Sequence, residues 1–396
     1  MKVFLIITLT IIAVIMCLTL ILAGFLFNDK AKRKIRFTVA AVDLILIALS
    51  AAAFLMRDKI PSDAISFLGN AATIIFASQL ICIGLVLAAL IIRKIYRLLN
   101  KPVPFNRERR KMLAYSLFYP LMSFTTTVYA NQIERNNTVD NHFDIKIKDL
   151  PEELSGFTLA QISDVHLGAY FSLERLKLLL DRIANSKPDI LAITGDIFDD
   201  NSINAEAIKL VDSYSGKFKY GIYYCHGNHE HHRGIKAIEQ GLSQTQIHWL
   251  VNQSGEVPIK SPRPLYILGV DYPMGAPITQ SREPAVESKF NHMKKEFINQ
   301  ARKEVPDNAI CILLAHHPEF IDDAAEIKIP LTLTGHTHGS QIGIFGVPLF
   351  PIFKYTRGMV RINDCYGYVH VGNGSWFPFR LGCPPEIAYF TLSGDK

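Results

Sequence analysis

Five short stretches of the sequence carry side chains of the kind that hold divalent metals. They are ISDVHLG with Asp164 and His166, ITGDIFDD with Asp196 and Asp199, CHGNHE with Asn228 and His229, LLAHHP with His316 and His317, and TGHTHG with His336 and His338. Carboxylate, imidazole and amide donors suit borderline to hard ions such as Mn, Fe or Zn. Thiolate is missing from this donor set, which argues against a structural zinc site. One such cluster would say little, because Asp and Asn also favour turns. Five clusters of one composition exceed what turn chemistry explains. The donors are too many for one ion and suit two, and a pair of metals about 3.5–4 Å apart is the usual clamp for in-line displacement at phosphorus.

Each cluster stands where a strand is expected to end. In LTLTGHTHGSQI (331–342) the alternation predicts a half-buried strand, broken at Gly335. His336 and His338, two apart on extended backbone, then offer both imidazoles to one side. FTLAQISD, PDILAITGD, KYGIYYCHGNHE, PLYILGVD and NAICILLAHH read as further strands. Helices are predicted at 172–186, with Ser172 as N-cap, and at 202–213, 281–304 and 318–327. This alternation is α/β, and ligands bind such sheets at the C-terminal ends of the strands.

The first third of the chain has another character. Residues 3–27 carry no charge, 37–56 only Asp43, 71–92 none, and 112–130 none although Pro120 interrupts them. All four are expected to span a membrane. The first is long for a signal peptide and lacks a clear cleavage site, so it is expected to be retained. Asp43 is expected to pair with Ser78 or Gln79. The basic runs at 30–36 and 93–111 should face the cytoplasm, leaving the N-terminus and everything after the fourth span outside. Residues 1–130 have sixteen Lys and Arg against five Asp and Glu, and the remainder nets −5. The basicity therefore serves topology, and the large domain is no nucleic-acid surface. Residues 131–142 read as a polar linker. Cys225 and Cys311 look like core thiols, and an exported domain could join Cys365 to Cys383.

The order D-x-H, G-D-x-x-D, G-N-H-E, H, G-H-x-H from about residue 157 onward resembles the calcineurin-like metallophosphoesterases, and RLGCPPEI (380–387) is similar to the ending of a bacterial membrane-associated branch. With the apolar runs read as an α-helical transmembrane bundle (1–130) and 131–156 as a linker, the resemblance implies an α/β four-layer sandwich over 157–396. It implies that Asp164, His166 and His338 hold one metal, that Asn228, His316 and His336 hold a second, and that Asp196 bridges both. His317 yields to His316 on the family's H-x-P spacing. Hydroxide between two divalent ions, Mn first and Fe or Zn next, would attack phosphorus. His229 would serve the leaving oxygen and Asp199 would orient it. Asp200, His231 and His232 are expected at the surface, and His226 as structural.

Substrate is less legible. IFGVPLFPIFKY (344–355) and GSWFPF (374–379) put aromatic residues near the site in sequence. With several spans, they favour the lipid bilayer as a partner and a lipid-linked phosphoester as substrate, cleaved outside a bacterial inner membrane. RERRKML (107–113) resembles a weakened twin-arginine signal. The alternatives are a nucleotide-lipid pyrophosphatase with a cytoplasmic site and a non-catalytic metal-binding sensor.

Overall fold

The computed structural model describes residues 2–26, 29–55, 62–99, 118–275 and 284–394. They form two compact units, the first comprising the chain through Ile133 together with Phe377–Phe379, the second Glu134–Trp376 and Arg380 onward.

The first unit is helical: Lys2–Leu26, Asp29–Leu55, Ser62–Leu99 and Phe118–Val128. The first three pack on one another, and the third also packs on the fourth. The windows Arg33–Ala52 and Asp63–Tyr96 are long and apolar enough to cross a membrane, and Thr10–Leu22 is a shorter apolar stretch. Apart from residues 27 and 56, which lie outside the described residues, the expected spans 3–27, 37–56 and 71–92 thus fall on helices, and helices Asp29–Leu55 and Ser62–Leu99 start eight and nine residues ahead of the spans expected there. Lys30 to Arg36, expected in a loop, form the first turns of the second helix. Of the expected fourth span, 112–117 lie outside the described residues. The rest is an 11-residue helix followed by a π turn at Tyr129–Ile133, about 16 Å long by itself against a hydrocarbon core of about 30 Å. The RERRKML stretch lies outside the described residues. Asp43 accepts a 2.8 Å hydrogen bond from Gln79, the expected partner.

In the second unit the strands are, in chain order, β1 (Val139–Ile147), β2 (Thr158–Ile162), β3 (Ile190–Thr194), β4 (Ile222–Cys225), β5 (His248–Trp249), β6 (Gln253–Val257), β7 (Leu265–Gly269), β8 (Ile310–Leu314), β9 (Leu331–Thr334), β10 (Gly343–Ile344), β11 (Val347–Pro348), β12 (Gly358–Ile362), β13 (Cys365–Val369) and β14 (Glu386–Gly394). They form one sheet in the order β1-β14-β2-β3-β4-β5, another in the order β12-β13-β9-β8-β7-β6, and the hairpin β10-β11. Within them β2, β3 and β4 run parallel, as do β7, β8, β9 and β13.

Three apolar cores make the layers. Ile145, Leu159, Ala192 and Tyr223 of one sheet meet Ile267, Ile312, Leu333 and Tyr368 of the other in the central core. Ile162, Ile193 and Tyr224 pack outward against Leu180 and Ile183 of helix Leu173–Ser186, Ile208 of Asn204–Asp212 and Ile238 of Ile235–Leu242. Leu268 and Leu313 pack outward against Ile298 of Pro284–Arg302 and Phe320 of Phe320–Glu326. The result is helix, sheet, sheet, helix, the mixed α/β sandwich expected. Helix Leu173–Ser186 starts where its cap predicts: Ser172 accepts a hydrogen bond from the backbone N–H of Arg175.

In this unit one expectation fails and one possibility is not realised. Residues 131–156 are not a linker, because β1 pairs in parallel with β14 from Val139–Glu386 to Ile147–Gly394. Polar alternation hid an edge strand whose inner face, Ile145 and Ile147, is buried. Cys365 and Cys383 are both buried and free.

Candidate metal centre

All five clusters follow C-terminal ends of parallel strands, β2, β3 and β4 in one sheet and β8 and β9 in the other. The sheets face each other, so these ends share one edge. The chain reverses sharply there. Asp164 (φ 51°), His166 (49°), Asp196 (56°), His336 (73°) and His338 (50°) all have left-handed backbone. For a residue with a Cβ that costs on the order of 1–2 kcal/mol, and such strain concentrates at functional sites. The loops are held against it. The backbone N–H of Asp164 donates to Gly195 and that of His166 to the Asp196 carbonyl, both at 3.0 Å, and the N–H of His336 donates to the Asp164 carboxylate. The approach also needs glycine: a Cβ on Gly335 would lie 2.0 Å from Ser163 Oγ, and one on Gly227 would lie 2.1 Å from Asp196 Oδ1.

The structure brings the seven sequence-predicted donors together in two groups. Asp164, His166 and His338 form one, and Asp196, His316 and His336, joined by Asn228, the other. In the first, His166 Nε2 and His338 Nε2 stand 3.0 Å apart, and Asp164 Oδ1 lies 3.4 Å from His338 Nε2. Two nitrogens each about 2.1 Å from one ion stand roughly this far apart. In the second, Asn228 Oδ1 lies 2.9 Å from His336 Nδ1. Asp196 Oδ2 lies 3.2 Å from His316 Nε2 and 3.7 Å from His166 Nε2, between the groups.

The donors fit a cation. His316 is fully buried, and its Nδ1 lies 2.6 Å from the Thr194 carbonyl, which fixes the proton on that nitrogen. Its Nε2 makes no hydrogen bond and faces Asp196. Burial opposes charging this ring, yet Asp196 and Asp164 outweigh it and raise its pKa to about 10. They demand positive charge where Nε2 points, and a dication would take the place of that proton. His336, pushed down to about 3 by burial and by His316, and His338, pushed far down by burial and by His166, are neutral and free to ligate. His317 stays outside the groups, with its Nδ1 3.3 Å from the Glu319 N–H.

Beside the ligands, His229 Nδ1 lies 2.9 Å from Asp199 Oδ1. Burial lowers the His229 pKa, but Asp196 and Asp199 together raise it to about 9. Asp199 does more than orient one ring: Oδ2 reaches His166 Nδ1 at 3.2 Å, and Oδ1 also accepts from Arg233 Nε at 2.6 Å.

Three residues acquire roles that the sequence did not suggest. Glu230, within the motif but without an assigned role, is fully buried. Its carboxylate accepts from the backbone N–H groups of Asp196, Ile197, Phe198 and Gly227 at 2.8–3.1 Å. It binds the β3 loop to the β4 loop. Glu230→Ala should lower the melting temperature by roughly 10 °C, since buried orphaned donors cost ~1–3 kcal/mol each and each kcal/mol moves Tm by about 2–4 °C. Calorimetry tests this, and a shift below about 2 °C would mean the amides find other partners. Arg380, also fully buried, donates to the carbonyls of Val371, Gly372, Gly374 and Cys383. Glu386 accepts from Val371 N–H and Tyr368 Oη. The RLGCPPEI ending is thus a brace for residues 371–374, which lie against Asp164 and His338.

Comparison with known proteins points the same way. The family described as calcineurin-like phosphoesterase matches residues 157–340. A Bacillus subtilis protein described as uncharacterized metallophosphoesterase YkuE is 29% identical over 278 residues, 68% of this chain and 90% of that protein. A Danio rerio transmembrane protein with metallophosphoesterase domain is 26% identical over 258 residues, 63% of this chain and 56% of that one. Phosphodiesterase YaeI of Escherichia coli is 26% identical over 247 residues, 60% of this chain and 82% of that one.

Proposed function

The chain belongs to the calcineurin-like phosphoesterases and is a metal-dependent phosphoric ester hydrolase, and from that premise we propose that it cleaves a lipid-linked phosphoester at a membrane surface. The observation that carries the chemistry is the place of Asp196 Oδ2 between the two donor groups. Asp164, His166 and His338 would hold one metal and Asn228, His316 and His336 the other, with Asp196 standing between them. Two divalent ions, Mn²⁺, Fe²⁺ or Zn²⁺, would supply Lewis-acid charge there and lower the pKa of water. Thr194 fixes the His316 tautomer through its carbonyl. With Nδ1 turned to Asp199, His229 has Nε2 left to serve the departing oxygen, as proton donor or charge stabiliser.

The membrane reading is supported by the two helices of crossing length and by the description of the Danio rerio relative. A third support is the uncharged run from Ile344 to Phe353. Ile344, Val347, Leu349, Phe350 and Ile352 are exposed, and Phe345 at the hairpin tip is fully so. Exposed apolar surface of this kind marks a binding face. Phe353, at its end, turns back to the site with its ring centroid 5.1 Å from that of His336. The basic residues beside the apolar windows support a catalytic domain outside the cytoplasm.

The test uses full-length protein with Mn²⁺ and two substrates, soluble bis-p-nitrophenyl phosphate and lipid-extract phosphoesters in vesicles. Both should be hydrolysed. Phe345→Asp with Phe350→Asp should keep the soluble rate and lose roughly tenfold or more on vesicles, two aromatic anchors being worth about 1.5–3 kcal/mol each. Equal rates of the variant and the wild type on vesicles would overturn the membrane part. Inertness of the wild type on both substrates would overturn the enzyme.

A further inference from the structure

A separate group of donors faces inward beside the metal centre. His226 follows β4, His231 lies on the short helix Asn228–His232, and Asp271 follows β7. Asp271 Oδ1 stands 2.8 Å from His231 Nε2 and 3.4 Å from His226 Nδ1, and one ligand atom from each of the three lies within 4.8 Å of the others. His226 is fully buried, and neither of its ring nitrogens makes a hydrogen bond. An imidazole carries at least one N–H in each ordinary protonation state, and a buried donor without a partner is unfavourable. Its ring neighbours are Tyr224, Trp249 and His231. Asp271 is held in place: its carboxylate accepts from the N–H of Tyr272 at 2.8 Å, and its own N–H donates to Asn252 Oδ1 at 2.9 Å.

From this geometry we propose that His226, His231 and Asp271 form a third cation site, taking Zn²⁺ or an ion of similar softness with one position left to water. Two imidazoles and a carboxylate are a zinc donor set, and none of the three belongs to the two groups already assigned. His231, expected at the surface, is half-buried against Asp271, and its side chain is 17% exposed, which leaves a route for the ion. His226 and His231 bracket Asn228 and His229 in sequence, while the Tyr272 ring lies 5.4 Å from that of His336. An ion here would clip the loop bearing Asn228 and His229 to the loop after β7.

The test is a count of metal. Full-length protein in detergent is stripped, titrated with Zn²⁺ alone, freed of excess by gel filtration and analysed by plasma mass spectrometry. Wild type should retain three equivalents, and Asp271→Asn and His231→Ala two each. His166→Ala combined with His316→Ala, which takes an imidazole from each paired group, should retain one, which adding His231→Ala removes. Two equivalents in the wild type, or no loss in either Asp271→Asn or His231→Ala, would overturn the proposal. The triple variant keeps the question open to measurement if Asp271→Asn fails to fold.

Discussion

Asp196→Asn is expected to strip the protein of its paired metals and of phosphoester hydrolysis together. The substitution is nearly isosteric, and a side-chain carbonyl can still accept the 2.9 Å hydrogen bond that Asp196 Oδ1 takes from the His229 N–H. What it removes is the negative charge between His316 and His166. Burial opposes that charge, yet the surrounding imidazoles, His316 first, hold the Asp196 carboxyl well below the usual carboxylate range. A neutral amide there weakens both ion sites at once. Losing even 4–5 kcal/mol of transition-state stabilisation is about 10³-fold in rate, so kcat should fall by at least that. Metal analysis on Mn²⁺-loaded protein, paired with circular dichroism, checks it. A folded variant with wild-type Mn²⁺ content and turnover would remove Asp196 from the centre of the chemistry.

His229→Ala should separate what Asp196→Asn joins. The ring touches Asp199 through Nδ1 and stacks edge-on to His166, with 4.4 Å between centroids, but belongs to neither ligand group. Both Mn²⁺ equivalents should remain while kcat falls by roughly 10²–10⁴, the range for a positioned general acid. Two further readouts mark an acid. A donor works only while protonated, so activity should decline as pH rises through the His229 pKa, and that alkaline limb should vanish in the variant. Esters of p-nitrophenol, whose leaving group needs little protonation, should lose less than alkyl esters. A uniform loss for both ester types would make His229 a positioning residue rather than a proton donor.

The sandwich and most of its chemistry were legible because both are locally encoded. A short apolar run bounded by turn residues marks a buried strand, as in Ile190–Thr194, and a polar cluster at its end carries its chemistry on its face. Glu230 shows the limit. Its type and neighbours say nothing of the four amide donors it collects, three of which lie more than 30 positions away. Arg380 is similar, since a buried arginine surrounded by carbonyls has no signature in a linear pattern. The 139–147 strand was missed because its partner is β14, near the other end of the chain, and because the alternation of its first half is carried by polar residues, with apolar Phe143, Ile145 and Ile147 only in the second.

By itself, then, the sequence determined which side chains could meet a cation, which segments alternate as strands and helices, and that the N-terminal third is apolar enough for a bilayer. Tertiary structure alone decided that Asp196 Oδ2 stands between the two donor groups, that Glu230 and Arg380 brace the loops that carry them, and that His226, His231 and Asp271 converge. The reason is physical: side-chain chemistry and backbone period are properties of neighbours along the chain. Coordination depends on distances of a few ångströms between residues far apart in sequence, set only when the two sheets close over a common core.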